Sequence, residues 1–410
     1  MNCIMVNQKN DFLNNSGNLI NTRLRISHYI FALALLVKQF YLLPSGSFQI
    51  GDALFILSLI CFLAESKFRL VLRKNDYAIL AYVGCVAIIN MIYSFIEGYN
   101  FNKATLYYLF SLIVIVTFVN LNSELYSKKF LLLLSRISKL SICIQVLAFV
   151  SGLGRWYAGS RYEGTFNDPN QYGVFILFSM FLIVLIDSFY QKKTIIWLIV
   201  CTFLIFISAS TGMLVGLAAF FAVGLYYRMK ENRFMSYFLP LVILILFTVL
   251  ICIINGVIVV DLPSTNNAFL NRIINKYNSM ILSNGFSSIV SDRGWTRVLE
   301  CPEFLLYGSG EGGYSRFGTS LEIHSSVLGP LFYYGIIPFC LYIYWCFSKI
   351  KYLDPIYYCI FVGLFLESVF LVNTRQPLFW ILFLLAETIS QYSSANNKSN
   401  SDLAMLRKGI

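Results

Sequence analysis

Charge is what this chain has least of: only 12% of its 410 residues are Asp, Glu, Lys or Arg, about half the share found in soluble globular chains. By contrast 58% are hydrophobic, and the mean hydropathy is +0.70. That balance excludes an ordinary soluble domain and fits a chain that crosses a membrane many times. Histidine is rarer still, with only His28 and His324. The ten cysteines show neither a disulfide framework nor metal-ligand spacing; most lie in apolar runs, where cysteine packs as a small hydrophobe. No repeat of fixed period is present, and no convincing inverted repeat relates the two halves, which weakens a transporter reading. The first apolar run leads to no small-residue cleavage site, so the polar, Asn-rich start reads as a tail rather than a signal peptide. A net charge of +11 could suggest nucleic acid, but the Lys and Arg residues fall in short clusters between apolar runs. That is the pattern of membrane topology, so no nucleic-acid partner is expected.

What is present is a series of apolar runs long enough to span a bilayer. Twelve are expected, at 26–43, 50–65, 77–96, 104–121, 131–151, 170–190, 194–208, 211–227, 235–256, 325–347, 356–372 and 377–391. The expected fold is therefore an all-α polytopic membrane helix bundle. It has a tail at 1–25, nine helices over 26–256, a large polar loop at 257–324, three helices over 325–391 and a second, mobile tail at 392–410.

Orientation follows from the basic residues near helix ends. With the N-terminus inside, every inside loop is basic, both termini are cytoplasmic and the large loop faces outward. Nine cations then fall outside: Lys103, Arg155, Arg161, Arg272, Lys276, Arg293, Arg297, Arg316 and Arg375. Seven of these nine are Arg, the side chain whose planar fork binds phosphate in a bidentate way. The alternative is that these residues cap helix ends or pair with acidic neighbours.

Three outside segments could carry chemistry. In Gly152–Gly173, Arg155, Arg161 and Asn170 stand among aromatic and amide side chains suited to phosphate and sugar, although Asp168-Pro169-Asn170 also reads as a turn opening the sixth helix. In Ser291–Arg297, Arg293 and Arg297 share a face if the stretch is helical and could clamp a diphosphate; a solvated helix would look the same. The third segment has four glycines in the six positions Gly308–Gly313, then Arg316, Glu322 and His324. Gly310 and its neighbours could expose backbone N–H groups to an anion, and His324 could accept a hydroxyl proton near neutral pH. The glycine run lacks the Lys-Ser/Thr ending of a P-loop.

Together these stretches resemble the bacterial O-antigen polymerase and O-antigen ligase superfamily. Gly164-Thr165-Phe166-Asn167-Asp168-Pro169-Asn170 is similar to a Gly-Thr-Phe-x-x-Pro-Asn segment of that family. Gly308-Ser309-Gly310 is similar to its Gly-x-Gly turn, and His324-Ser325 followed by Gly335 to its His-Asn/Ser-x9-Gly signature. The chain departs from the pattern at Ser208–Met213, which lacks an arginine, and at Pro338, where a second glycine is expected.

The resemblance implies a GT-C-like, inverting, metal-independent glycosyltransferase of the bacterial plasma (inner) membrane that needs no cofactor. Its substrate would be an undecaprenyl-diphosphate-linked oligosaccharide in the membrane lipid, and a chain-length regulator protein would be a partner. Arg293, with Arg297, would hold the diphosphate, and His324 beside Glu322 would orient or deprotonate the acceptor hydroxyl. Arg155, Arg161, Asn170, Arg272, Gly310 and Arg316 would complete the substrate site. Divergence from the ligase-like signatures favours a polymerase, for O-antigen or capsule, over a ligase acting on lipid A-core. A polysaccharide transporter or flippase is the rival from another class, with only Lys38 and Glu367 as candidate ionisable groups within the membrane.

Overall fold

The computed structural model describes residues 23–43, 48–98, 101–122, 127–230 and 290–407, with isolated positions between 271 and 278; from 393 onward it describes the backbone alone. The expected ninth span, the first part of the large loop with Arg272, and residues 1–22 of the first tail lie outside the described residues.

The chain is mostly helical. Helices α1 (Ile26–Val37), α2 (Ile50–Glu65), α3 (Asp76–Glu97), α4 (Asn102–Leu121) and α5 (Ser127–Val150) lead into a small hairpin, β1 (Arg155–Tyr157) and β2 (Arg161–Gly164). There follow α6 (Pro169–Phe189), α7 (Ile195–Ser208) and α8 (Thr211–Met229). After the loop come the short α9 (Thr296–Glu300) and α10 (Phe304–Tyr307), then α11 (Leu328–Tyr334), α12 (Ile336–Ile350), α13 (Tyr358–Phe370) and α14 (Pro377–Arg407). Five of these, α3, α4, α5, α6 and α8, are long and apolar enough to cross a membrane. Large apolar side chains stand exposed along α3, α4, α5 and α8 and along α7, such as Ile88 on α3 and Ile196 and Ile199 on α7. Continuous apolar surface of that kind belongs in lipid rather than in water.

The bundle is built around α6. In its most apolar stretch 89% of residues are buried, against 28% for α3 and for α8. It packs against α5, α7, α8 and α14. A helix apolar on every side has no polar face to present, so it takes the centre. Its start is fixed locally: the Asp168 carboxylate accepts from the backbone N–H groups of Asn170 (2.7 Å) and Gln171 (3.0 Å), and Pro169 occupies the first helical position. The turn reading of Asp168-Pro169-Asn170 therefore holds.

Polar contacts gather at two opposite ends of the bundle. At one, Lys349 bridges Asp76 (2.7 Å) and Glu387 (2.8 Å), Glu387 also meets Arg73 (2.6 Å), and Lys139 pairs with Asp187. At the other, here the loop end, lie Lys38 paired with Asp52 (2.6 Å), the hairpin, the α7–α8 turn, residues 290–327 and the 371–376 connection. Lys38 thus sits in an ion pair at helix termini rather than alone inside the bundle.

Three expectations are corrected. The tenth span is not one helix: Gly335, at φ +77, separates α11 from α12, because a side chain there would lie 2.5 Å from the Leu306 carbonyl oxygen. The second tail is helical as far as Arg407, since extending a helix already nucleated by packing costs little. The outside segment after α5 holds a β-hairpin, an element beyond the expected helices, and it closes through Ala158 and Gly159, both at positive φ.

Candidate functional site

The loop end brings residues 290–326 and 371–376 together. Ser326 is the joint: its N–H donates to the carbonyl oxygens of Ser368 (2.8 Å) and Leu371 (2.9 Å), and its hydroxyl accepts from the Asn373 N–H at 2.6 Å. The residues before it are pinned in turn. The Ile323 N–H donates to the Tyr333 hydroxyl (2.7 Å), and the His324 N–H donates to the Arg293 carbonyl oxygen (3.0 Å). The indole of Trp295 lies against Phe370 and directs its N–H toward the His324 carbonyl oxygen. With the backbone held on both sides, the half-buried His324 ring is the group left available. Burial lowers its pKa; Glu322 pulls the other way, and Arg293, Arg375 and Arg297 add to the lowering. The imidazole is thus neutral near pH 7, the form that accepts a proton.

Arg375 is the electrostatic hub. Its guanidinium bonds Glu311 and both oxygens of Glu322 (3.1 Å) and lies over the Tyr107 ring at 4.9 Å. Glu311 is 4% exposed and its second oxygen accepts from the Tyr334 hydroxyl at 2.6 Å. Burial by itself lowers the Arg375 pKa, but the two carboxylates more than reverse this and hold it above the ordinary arginine range. For Arg375 the alternative left open by the sequence holds: this outside cation pairs with acidic neighbours, Glu311 of the glycine run and Glu322. The missed signal was Asn373-Thr374-Arg375-Gln376, four polar residues where two apolar runs need only a turn.

Other expected residues are placed as follows. Arg293 donates to the Phe370 carbonyl oxygen and lies over that ring at 5.2 Å; burial lowers its pKa, opposed by Asp292. Arg297 does not share a face with it, because Gly294, at φ +66, turns the chain between them. Arg297 is instead buried, 2% exposed, donating to the Leu321 carbonyl oxygen (2.5 Å) beneath Tyr314 and Phe317. The expected two-arginine clamp is therefore not assembled.

Arg316 is also structural. It bonds the Ser309 carbonyl oxygen, stacks on Tyr93, Phe101 and Phe317, and approaches Glu97 at 3.6 Å. The first four N–H groups of the glycine run are already spent within the protein: Gly308, Ser309 and Gly310 donate to backbone carbonyl oxygens, and Glu311 donates to the Asn90 side chain (3.0 Å). Gly310 is needed instead for its positive φ and its approach to Tyr93 and Phe101, which a side chain would crowd at 3.0–3.1 Å.

In the second outside segment, Arg161 donates to the Ser208 carbonyl oxygen (3.1 Å) and to the Asn170 side-chain oxygen (2.6 Å), tying the hairpin to the α7–α8 turn and to the start of α6. Arg155 is exposed and donates to the Thr165 carbonyl oxygen (3.2 Å). Glu163 lies buried behind them; burial raises its pKa, Asp168 adds to this, and Arg155 and Arg161 oppose it.

Between the start of α6 and the 371–376 connection lies an open cavity of about 130 Å³, walled by Asn170, Gln171, Asn373, Arg375 and Gln376 with Val174 and Leu371. Of the site residues expected from sequence, Asn170 borders it. The arrangement offers a neutral imidazole, an arginine with open donors in Arg293, and a polar cavity joined to them through Arg375. Comparison with protein-family models, with curated proteins and with solved structures finds no match to this chain.

Proposed function

We propose that this chain is an inverting, metal-independent glycosyltransferase of GT-C-like architecture with about twelve membrane spans, working as a polysaccharide polymerase at the outer face of the bacterial inner membrane. The observation that carries this reading is the His324 ring, held by its backbone and half-buried beside Glu322 and Arg293 at the loop end, where burial favours the neutral imidazole. The acceptor hydroxyl gives its proton to the imidazole while its oxygen attacks the anomeric carbon of the lipid-linked glycan. The bond from that carbon to the diphosphate oxygen breaks, and undecaprenyl diphosphate leaves. Arg293 supports charge on the departing diphosphate through the donors it does not spend on Phe370. The other arginines of the loop support the reading indirectly, as posts that fix the backbone around these two side chains.

The test is transfer by the purified chain in detergent. An undecaprenyl-diphosphate-linked repeat unit is incubated with it in excess EDTA, and the products are sized on a gel. A ladder of lengthened glycans is expected. No lengthening, or transfer only when lipid A-core is supplied, would overturn the polymerase assignment; the second result would make the protein a ligase.

A further inference from the structure

The cavity beside Arg375 differs in chemistry from the Arg293–His324 region. Although it contains an arginine, it offers little net positive charge, because that guanidinium is already matched by Glu311 and Glu322. An anion entering would gain little and would approach two carboxylates. The remaining polar wall is carboxamide: Asn170, Gln171, Asn373 and Gln376.

Two buried atoms of this wall lack a protein partner among the described residues. One is the side-chain oxygen of Asn373, a residue 1% exposed; the other is Nε of Arg375. The Asn373 amide nitrogen donates to Glu367 and to Ser368 (2.8 Å), which fixes the amide orientation and leaves its oxygen as the open acceptor. Nε of Arg375 can only donate. The carboxamides of this wall carry both donors and acceptors, which suits a ligand that itself donates and accepts. A fully ionised diphosphate only accepts, and an ammonium only donates. A hydroxyl does both. Val174 and Leu371 add apolar surface of the kind that covers the C–H face of a ring. The Asn170 side-chain oxygen is taken by Arg161 and by Ser210 (3.0 Å), so its amide nitrogen is held ready to donate.

We propose that this cavity is a subsite for an uncharged, hydroxyl-rich ring, a sugar unit of the substrate, separate from the place where the diphosphate is held. The assignment rests on the transferase reading for taking that ring to be part of the glycan. It divides the loop end into a charged part around Arg293 and an uncharged part between α6 and α14.

Binding to the intact chain in detergent tests it without any transfer step. The probes are glucose, galactose, N-acetylglucosamine and, as the charged control, inorganic pyrophosphate, each followed by saturation-transfer NMR and titration. At least one sugar binds with a dissociation constant on the order of millimolar. Gln376→Ala weakens it about tenfold, as expected for one hydrogen-bonding partner removed from a polar pocket. Val174→Phe, which fills the cavity without touching a polar group, abolishes it. Pyrophosphate binding is unchanged in both variants. Displacement of the sugar by pyrophosphate would overturn the proposal in favour of an anion site. Absence of any sugar binding, or binding unaltered in both variants, would reduce the cavity to a hydrated cleft. Sugar binding lost in these variants, in a protein that never lengthens a lipid-linked glycan, would uphold the subsite and overturn the transferase reading instead.

Discussion

Replacing Arg375 by Gln removes the cation that holds Glu311 and Glu322 together, and the structure sets the size of the effect. Glu311 is 4% exposed and keeps only the Tyr334 hydroxyl and its backbone contact to Asn90. Breaking a buried ion pair by removing one member costs about 3–5 kcal/mol, because the surviving charge stays out of water. The Glu322 side chain is 21% exposed and can recover some hydration, so the lower end of that range, about 3 kcal/mol, is expected. The measurement is reversible unfolding in mixed micelles, run as a double-mutant cycle with Glu311→Gln. If the two groups act as a buried pair, the double variant loses less than the sum of the single losses by at least about 1 kcal/mol. A loss below about 1 kcal/mol for Arg375→Gln, or simple additivity, would refute the account of Arg375 as an electrostatic hub.

Arg293→Lys is expected to leave the protein in the membrane yet severely reduce glycan lengthening, because an ammonium cannot hold the Phe370 carbonyl oxygen and a diphosphate in one plane; wild-type ladders from that variant count against the role given to Arg293. His324→Ala is expected to abolish transfer in a normally inserted chain. Because burial and the neighbouring guanidinium groups lower the His324 pKa against the pull of Glu322, the acid limb of the transfer rate lies below 6.5. Glu322→Gln removes that pull and moves the limb lower still; a pH–rate profile with a limb above 6.5, or one unmoved by the substitution, contradicts the assignment. Gly335→Ala places a side chain at φ +77 against the Leu306 carbonyl oxygen and costs about 1–3 kcal/mol of stability in the same unfolding assay, whereas a neutral outcome would mean that the α11–α12 break is not fixed by this approach.

Helix positions were legible where apolar runs end in strong punctuation. Asp168-Pro169 marked the start of α6, and the gap between the expected spans 194–208 and 211–227 marked the turn between α7 and α8. The break at Gly335 was hidden, because Leu328–Ile350 is apolar throughout and the cause, a close approach by residues 306–308, is nonlocal. Site residues were read less well, for a related reason. A sequence shows that an arginine is present but not which carbonyl oxygen its fork meets. Arg297 and Arg316 were expected to face a ligand and are enclosed by aromatic rings, whereas Arg375 sits at the junction of the loop and α14. The pairing of Glu311 with Arg375 spans 64 positions, beyond any local pattern.

The central position of α6 also bears on how the chain is made. Synthesis delivers α6 before α7, α8, α13 and α14, so the helix that is finally most enclosed must first wait in lipid with only its predecessors for company. Its mean hydropathy of 2.2, the highest of the five long helices, makes that wait tolerable. Its single carboxylate, Asp187, is served from the start by Ser135 (2.6 Å) and Lys139 of α5, which has already emerged. Helix α6 therefore needs nothing downstream to remain in the bilayer, and the later helices can assemble around a post already standing.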